Sequence, residues 1–325
     1  MDKKDIFSEH TDEGFLKIAL ETFRHQAVNC PVYKHYIDTL SINPKEVTSL
    51  DKIPFLPIDF FKNHKIITQN KLEEKIFSSS GTTGSTPSLH YIQDLSIYEE
   101  SFRQAFKIFY GDPQEFCILA LLPSYLERSG SSLIYMVDDL IKKSDYPESN
   151  YFLYNHEDLF RQLKNLKDRE IPTILFGVTY ALLDFVENYP IHFPELIVME
   201  TGGMKGQRRE MIREELHDLL YQGFGVSAIH SEYGMTELLS QAYSKGNGKF
   251  ACPPWMKIMV RELNDPFSYL ATNQTGGINV IDLANINSCS FIATQDLGKN
   301  LTGGFFEVLG RFDQSDIRGC NLMVN

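Results

Sequence analysis

Short apolar runs alternate with helical patterns over residues 116–230. The apolar runs, rich in β-branched and aromatic residues, lie at 116–122, 151–154, 173–177, 195–200 and 226–230. Between them, apolar residues recur at helical spacing near 129–142, 157–168, 179–188 and 206–222, and Gly223 follows as a stop signal. This alternation predicts an α/β fold with a parallel, doubly wound sheet flanked by helices. Ligands of such sheets bind beyond the carboxyl ends of the strands, so the loops there are the candidate sites.

The pattern differs on both sides of this region. The first seventy residues predict helices followed by an irregular segment, with Leu16, Ala19, Phe23 and Ala27 at helical spacing. After about residue 240, β runs at 257–262, 277–283, 289–294 and 304–309 predict a smaller, mostly antiparallel or β-barrel-like segment. We therefore expect an N-terminal segment packed on the core at 1–75, an α/β subdomain at 76–240, a β-rich subdomain at 241–310 and a hinge-like tail at 311–325.

Composition excludes some partners and indicates a compartment. The 325 residues include 31 Lys and Arg against 43 Asp and Glu, a net charge of −12 with no long basic run, so nucleic acid is not an expected partner. No apolar run approaches the ~20 residues that a membrane-spanning helix needs. A charged start without an apolar signal region, and five widely spaced cysteines without a Cys-x-x-Cys pair, lead us to expect a cytoplasmic protein.

The string Ser78 to Pro87 is the most specific local signal. Its hydroxyl side chains are interleaved with Gly81 and Gly84, which leave backbone N–H groups unobstructed for phosphate oxygens. It is not a Walker loop, because the Gly-Lys pair is absent. Composition alone fits a flexible polar linker equally well.

Two further loops follow predicted strands at the ligand edge. The string 200–204 (Glu-Thr-Gly-Gly-Met) carries paired glycines that would let a flat ring approach the backbone; a plain strand-to-helix turn is the alternative. The string 230–237 offers the aromatic ring of Tyr233, the hydroxyl of Thr236 and the carboxylate of Glu237. These groups could stack a base, contact a phosphate and hold a hard cation such as Mg²⁺. Three such loops in order along one sheet favour a nucleotide site.

Together the three loops resemble the adenylate-forming superfamily of acyl-CoA synthetases, peptide-synthetase adenylation domains and luciferases. Two later strings agree: 295–298 resembles the superfamily's Thr-Gly-Asp element and 310–313 resembles its Gly-Arg-x-Asp hinge. Within the superfamily, the likeness is nearest to the acyl-protein synthetase family of bacterial bioluminescence. That likeness covers roughly residues 50–320, and it is carried by segments 53–61, 122–132, 199–205 and 317–320.

The resemblance implies an ATP site with Mg²⁺. Ser79, Ser80, Gly81, Thr82, Thr83 and Gly84 would hold the β- and γ-phosphates, and Gly202, Gly203 and Met204 would line the adenine pocket. Tyr233 would stack on the base, Thr236 would contact the α-phosphate, Glu237 would bind Mg²⁺, and Asp296 and Arg311 would lie at the ribose. A carboxylate displaces pyrophosphate only if the triphosphate charge is screened, so donors and a metal in one cleft suit this reaction.

Two departures from the family pattern both remove positive charge. The phosphate loop of the family ends in Pro-Lys, but Pro87 is followed here by Ser88-Leu89-His90, so this charge is missing or supplied by His90. Most relatives continue beyond the hinge into a lid domain that carries a lysine, whereas this sequence stops fifteen residues after Gly310. Lys205 is a candidate substitute for that lysine, and a solvated lysine at a helix start is the alternative.

The cysteine near the end of the chain is the candidate acyl acceptor. The resemblance places Cys320 where the bioluminescence synthetases carry the acyl group, and an incidental cysteine is the alternative. Arg318 would lower the pKa of its thiol, while Asp313 and Asp316 would raise it. Cys117 and Cys289 lie in apolar strand patterns and are expected in the core.

The leading hypothesis is an ATP-dependent acyl-protein synthetase. It would convert a carboxylic acid, most simply a fatty acid, to an acyl-adenylate, pass the acyl group to Cys320 and deliver it to a reductase partner. The alternatives are an acyl- or aryl-CoA ligase and a non-catalytic subunit that binds a nucleotide or an acyl group. The sequence is compatible with a homo-oligomer.

Overall fold

The computed structural model describes residues 3–8, 10–68, 72–79, 86–123, 130–202 and 211–312. Its helices are α1 Lys3–Phe7, α2 Asp12–Asn29, α3 Pro31–Thr39, α4 Phe60–Asn63, α5 Leu95–Tyr110, α6 Ser132–Lys143, α7 His156–Asp168, α8 Thr179–Asn188 and α9 Arg213–Phe224. Its strands are β1 Leu56–Pro57, β2 Lys75–Ser78, β3 Leu89–Ile92, β4 Cys117–Leu121, β5 Asn150–Phe152, β6 Thr173–Gly177, β7 Ile197–Glu200, β8 Ile229–Tyr233, β9 Ala242–Ser244, β10 Phe250–Ala251, β11 Met256–Arg261, β12 Gly276–Asp282, β13 Phe291–Asn300 and β14 Phe305–Arg311.

These elements fall into two compact units. The β-rich unit holds the described residues up to Ser101, the segment Thr236–Ser240 and the described chain from Ala251 onward. The α/β unit holds the described parts of Phe102–Met235 and Gln241–Phe250. Over the described ranges, no helix has both the length and the apolar character needed to cross a membrane. The subdomain boundaries expected from the sequence stay a prediction.

The α/β unit contains the parallel sheet that the sequence predicts. Its strands lie in the order β5-β4-β6-β7-β8-β9, parallel from β5 to β8, with β9 antiparallel to β8. Every residue of β4 and β6 is buried, which is typical of parallel strands covered on both faces. The α/β prediction is confirmed, and the carboxyl ends of β6, β7 and β8 lie along one edge of this sheet.

The last helix of this unit corrects the sequence prediction at Gly223. Helix α9 continues to Phe224, and Gly225, at φ +68°, adopts the left-handed conformation that ends it. Gly223 is instead required by packing, since a Cβ atom there would lie 2.4 Å from Cβ of Val186 on α8. The glycine predicted to stop α9 therefore permits its close approach to α8.

The β-rich unit contains an antiparallel sheet in the order β11-β12-β13-β14, which confirms the antiparallel expectation. Strand β1 pairs parallel with β13, and β2 and β3 form a separate antiparallel hairpin. The side chain of Thr11 caps the start of helix α2, which ends at Asn29, and Pro31 then opens α3. Its buried Phe23 packs edge to face on Phe291 of β13, with ring centroids 6.0 Å apart.

Strands β13 and β14 extend beyond the predicted runs at 289–294 and 304–309. The extensions contain polar and glycine residues that an apolar pattern does not mark, but backbone pairing between the two strands continues through them. As a result Asp296 lies opposite Arg311 in the ladder. Two residues from separate sequence motifs are thereby cross-strand neighbours.

Candidate active site

The base of the hydroxyl- and glycine-rich loop is a hydrogen-bonded pair of serines. The backbone N–H of Ser79 donates to the carbonyl of Ser88 at 3.0 Å, and the N–H of Ser88 donates to the hydroxyl oxygen of Ser79 at 2.9 Å. The loop therefore leaves and re-enters the β2–β3 hairpin at a closed base. Ser80, Gly81, Thr82, Thr83 and Gly84 lie outside the described residues, so Ser79 is the described member of the predicted phosphate loop.

Two buried side chains hold successive carbonyl groups of the segment that follows β8. The Nδ1–H of His90 donates to the carbonyl oxygen of Thr236 at 2.8 Å. The side-chain amide of Asn285 donates to the carbonyl oxygen of Glu237, also at 2.8 Å. Both side chains are fully buried. The backbone at the predicted α-phosphate and Mg²⁺ residues is therefore fixed from two sides.

Asp282 fixes the same segment farther along the chain. Its carboxylate accepts from the backbone N–H groups of Leu239 at 2.8 Å and Ser240 at 3.0 Å, and from the hydroxyl of Ser240 at 2.6 Å. The N–H of Ala284 donates to Oδ1 of the same carboxylate at 3.1 Å, the oxygen that also accepts from the hydroxyl of Ser240. Burial raises the pKa of Asp282 to about 6, while these hydrogen bonds favour its ionised form.

Glu237 is a nearly buried carboxylate whose neighbours shift its pKa in opposite directions. It is 5% exposed, and burial raises its pKa. A hydrogen bond from the hydroxyl of Ser88 and the charge of Arg311 act in the opposite direction, and the charge of Asp296 adds to the rise. Thus the structure brings Glu237, Asp296 and Arg311 of the β-rich unit together with the loop base at Ser88.

The donor chemistry at Glu237 fits Mg²⁺. Within the described ranges, no three His, Cys, Asp or Glu side chains converge as a metal site. Mg²⁺ is usually held by one or two carboxylates together with substrate phosphates, rather than by an all-protein cage. A bound cation would also favour the ionised form of a carboxylate whose pKa is raised by burial. Among the described residues, Glu237 is therefore the candidate ligand for Mg²⁺.

Asp296 and Arg311 form an ion pair across the β13–β14 ladder. The Nε–H of Arg311 donates to Oδ1 of Asp296 at 3.2 Å. The carboxylate is nearly buried, whereas the arginine side chain is 75% exposed. A hydroxyl acceptor is thus oriented beside an accessible cation, an arrangement compatible with the ribose roles implied above.

His90 does not supply the positive charge that the phosphate loop lacks. Burial lowers the pKa of His90 to about 4, and its ring packs edge to face on Phe61 at 5.5 Å. Its Nδ1–H is already committed to the carbonyl of Thr236. His90 is therefore neutral near pH 7, which leaves the other interpretation, that the charge of the family's Pro-Lys is missing here.

Glu200 connects the ends of three strands at the ligand edge of the α/β unit. It accepts from the hydroxyl of Thr179 after β6 at 2.9 Å and from the hydroxyl of Ser231 on β8 at 3.0 Å. Burial alone would raise the pKa of Glu200, but the imidazole of His217, whose Nε2 lies 3.7 Å from Oε1 of Glu200, and the charge of Arg213 lower it overall. The paired-glycine loop therefore starts from a strand end held by a buried carboxylate.

The glycine loop and Tyr233 also belong to the α/β unit. Gly202 has φ +77°, a conformation that favours glycine. Tyr233 ends β8 with its ring 8% exposed and packed edge to face on Phe250, at a centroid distance of 6.0 Å. Gly203, Met204, Lys205 and Cys320 lie outside the described residues. The stacking role of Tyr233 and the roles of these four stay predictions.

Sequence reasoning missed Asp282 and Asn285 and gave no role to Glu200. Each is a polar residue at the end of an apolar stretch, and each is nearly or fully buried. Since a buried polar group needs hydrogen-bond partners, a polar residue at such a position is the signal that could have marked them. Their partners come from distant segments, which the sequence alone does not identify.

The family is decided by a comparison of the whole chain. The family described as acyl-protein synthetase, LuxE, matches residues 5–325. The chain belongs to the LuxE acyl-protein synthetase family. The resemblance drawn from the loops, the hinge string and the terminal segment is thereby confirmed.

A curated relative is similar over a shorter stretch. The long-chain-fatty-acid–luciferin-component ligase of Photorhabdus luminescens is 38% identical over 69 residues. That match covers 21% of this LuxE-family chain and 59% of the relative.

Solved structures share the fold of this LuxE-family chain. An open conformation of 2-hydroxyisobutyryl-CoA ligase, in complex with 2-HIB-AMP and CoA, aligns with a TM-score of 0.70 at 12% identity, covering 93% of this chain and 70% of the ligase. ATP-bound MatB from Rhodopseudomonas palustris aligns with a TM-score of 0.55 at 17% identity, covering 75% of this chain and 49% of MatB. At these identities the likeness concerns the fold, which is that of adenylate-forming ligases.

Proposed function

We propose that the protein is an ATP-dependent acyl-protein synthetase that activates a carboxylic acid, in particular a fatty acid, and transfers the acyl group to a protein thiol. The observation that carries this proposal is the family match over residues 5–325. The name of the Photorhabdus relative, a long-chain-fatty-acid ligase, supports the choice of substrate class. The alternative of a coenzyme A ligase differs only in the thiol that accepts the acyl group.

In the first step, a carboxylate oxygen of the acid attacks the α-phosphorus of ATP. The bond from that phosphorus to the bridging oxygen breaks, pyrophosphate leaves with the electron pair, and an acyl-adenylate forms. Bound Mg²⁺ would screen charge on the phosphates. Thr236 would orient the α-phosphate, Glu237 would hold the metal, and Ser79 to Gly84 would bind the leaving phosphates.

The remaining site residues would bind the nucleoside. Gly202, Gly203 and Met204 would line the adenine, and Tyr233 would stack on it. The nearly buried carboxylate of Asp296, oriented by Arg311, would accept hydrogen bonds from the ribose hydroxyls. Lys205 is proposed to supply the positive charge at the reacting carboxylate that neither His90 nor the loop provides.

In the second step, a thiolate attacks the acyl carbon. A thioester bond forms, the bond from the acyl carbon to the phosphate oxygen breaks, and AMP leaves. Burial raises the thiol pKa of all four described cysteines, Cys30, Cys117, Cys252 and Cys289, so each is a poor thiolate near pH 7. This comparison favours Cys320 as the acceptor. The acyl thioester would then be delivered to a reductase partner.

The experiment that tests activation is pyrophosphate exchange, because it requires only the first step. The purified chain is incubated with ATP, Mg²⁺, labelled pyrophosphate and a panel of fatty acids of different length. Label entering ATP only when an acid is present supports activation by adenylation. Exchange that no acid stimulates would leave a non-catalytic binding protein as the better explanation.

A further inference from the structure

The side-chain amide of Asn285 is oriented unambiguously by its neighbours. Its nitrogen lies 2.8 Å from the carbonyl oxygen of Glu237 and 3.2 Å from that of Cys289. Both neighbours are acceptors, so the NH₂ group must face them and the side-chain oxygen must face away. That oxygen, Oδ1, is buried and has no hydrogen-bond partner among the described residues.

His90 has the same kind of unpaired atom. Because Nδ1 lies 2.8 Å from the carbonyl oxygen of Thr236, it must carry the proton, and Nε2 of the neutral ring is then an acceptor. Nε2 is buried and likewise lacks a partner within the described part of the chain. A buried acceptor left without a donor destabilises the folded chain, so two of them in one region point to a donor that serves both.

A small cavity adjoins both residues. It has a volume of about 10 Å³, and His90, Gln93, Leu239, Asn285 and Ser288 are among the residues that line it. This volume is close to the minimum that holds one water molecule. Water has two O–H donors, and the two unpaired atoms are both acceptors, so the donors of one molecule match the two acceptors in number.

We propose that a buried water molecule donates to Nε2 of His90 and to Oδ1 of Asn285, and that these residues together form a positioning unit for the Thr236–Glu237 backbone. Each of the two side chains accepts from the water through one atom and donates to a backbone carbonyl of this segment through another. The water, the two side chains and the two peptide groups therefore form a closed hydrogen-bonded ring. His90 and Asn285 then act through Thr236 and Glu237, without contacting the substrate. Their effect on catalysis rests on the function proposed above.

A second buried anchor makes the unit rigid. The hydrogen bonds from the amide of Gln26 on α2 hold the carbonyl oxygens of Asn285 at 2.9 Å and Ile286 at 3.0 Å. The turn that carries Asn285 is thus fixed to the longest described helix, while His90 is fixed by pairing with Phe77 in the β2–β3 hairpin. A shift of either element would be transmitted to the carbonyl groups of Thr236 and Glu237.

The functional test compares His90→Phe, Asn285→Leu and the double variant by pyrophosphate exchange. Substitution of residues that position the ligands of a metal typically lowers metal affinity or activity by about 10–100-fold. We expect the Mg²⁺ concentration for half-maximal exchange to rise 10–100-fold in each single variant, with the KM for the fatty acid unchanged. Because the two residues act as one unit, the double variant should lose no more than the worse single variant. If the losses of the two single variants multiply in the double variant, or if only the KM for the fatty acid rises, His90 and Asn285 do not form a positioning unit.

Two further variants separate positioning from folding. His90→Asn places an amide donor near the position of Nδ1, so it should recover most of the exchange that His90→Phe loses. Gln93→Leu is the matched control: Gln93 lines the same cavity, but it hydrogen-bonds to Thr68, donating to its carbonyl oxygen at 2.7 Å and accepting from its hydroxyl at 3.1 Å. It should retain the wild-type Mg²⁺ dependence whatever it does to the melting temperature. If the Mg²⁺ concentration for half-maximal exchange rises equally in Gln93→Leu and His90→Phe, the effect comes from packing around the cavity, which would contradict the positioning unit.

The water itself is tested in a crystal structure of the full chain, independently of activity. We expect an ordered water within hydrogen-bond distance of Nε2 of His90 and Oδ1 of Asn285, and its loss in His90→Phe. An empty cavity, or a side chain occupying both acceptors, would overturn the proposal even if exchange is normal. If the wild-type chain shows no exchange, the proposed function fails. The crystal structures still test the positioning unit, because they show whether the water is present and whether the backbone of Thr236 shifts in the variants.

Discussion

The side-chain amide of Asn285 donates a 2.8 Å hydrogen bond to the carbonyl oxygen of Glu237. Asn285 belongs to a buried turn after β12, and Glu237 to the segment that follows β8, so 48 residues of chain separate the two. The bond connects the residue proposed to hold Mg²⁺ to the core of the β-rich unit. The carboxylate of Glu237 is therefore presented from a fixed backbone, which is what a site that orients a metal and phosphates requires.

Removing the carboxylate of Glu237 should abolish activation. In Glu237→Gln the side chain keeps its shape but loses the charge that would hold Mg²⁺, so fatty-acid-dependent exchange should fall at least 100-fold. The matched control is Glu307→Gln, which removes a carboxylate paired with Lys299 on β13 and should retain exchange. Undiminished exchange in Glu237→Gln, at any Mg²⁺ concentration, would contradict the metal role.

Breaking the pair between Asp296 and Arg311 should weaken nucleotide binding. In Arg311→Ala the nearly buried carboxylate of Asp296 loses the donor that orients it, so the KM for ATP should rise about tenfold. The KM for the fatty acid should stay constant. Arg169→Ala is the control, because it breaks an ion pair with Glu148 in the α/β unit. An unchanged KM for ATP in Arg311→Ala would remove both residues from the ribose site.

Asp282 should make stability depend on pH. Its pKa is about 6 in the folded chain against an ordinary 3.8, so between these values the folded state holds a proton that the unfolded chain releases. The contribution of Asp282 is thus fully present below about pH 4 and is lost as the pH rises through about 6, by an amount on the order of 3 kcal/mol. Relative to wild type, Asp282→Asn should lack this decline.

Urea unfolding at pH 4 and pH 7 measures this difference, with Asp158→Asn on the exposed face of α7 as the control variant. The control should follow wild type at both pH values. The same pH dependence in Asp282→Asn and wild type would show that the buried carboxylate does not titrate in this range.

Any side chain at position 223 should destabilise the folded chain. In Gly223→Ala the added Cβ would meet Val186 at 2.4 Å, and such overpacking typically costs about 1–3 kcal/mol. The melting temperature should fall accordingly. Shortening the neighbour, in Gly223→Ala combined with Val186→Ala, should recover part of the loss. A double variant less stable than either single variant would show that the two sites do not share this contact.

The sequence predicted the sheets better than it predicted what holds the site. Runs of buried residues at 117–121 and 173–177 lie in strands where the pattern placed them. Strand β8 lies three residues later than predicted, because its half-buried positions hold the polar residues His230 and Glu232. Gly223 was assigned a cap because sequence distinguishes poorly between a glycine that ends a helix and one that permits close packing.

For the candidate site too, the sequence marks individual residues but not the contacts that hold them. Local strings mark Thr236, Glu237 and Asp296 as candidates, since these residues occur in short motifs, and their roles stay predictions. The pairing of Asp296 with Arg311 depends on strand register, and the anchoring by Asn285 and Asp282 depends on contacts between distant segments. The neutral state of His90 depends on its burial. None of these can be read from a local pattern.

Self-acylation at Cys320 is measured by the intact mass of the protein after incubation with ATP, Mg²⁺ and a fatty acid. We expect a single acyl adduct that hydroxylamine removes, present in wild type and in Cys252→Ser and absent in Cys320→Ser. Cys252 is the matched control, since burial raises the pKa of its thiol. An adduct that persists in Cys320→Ser, or no adduct in wild type alongside acid-dependent pyrophosphate exchange, would contradict self-acylation at Cys320.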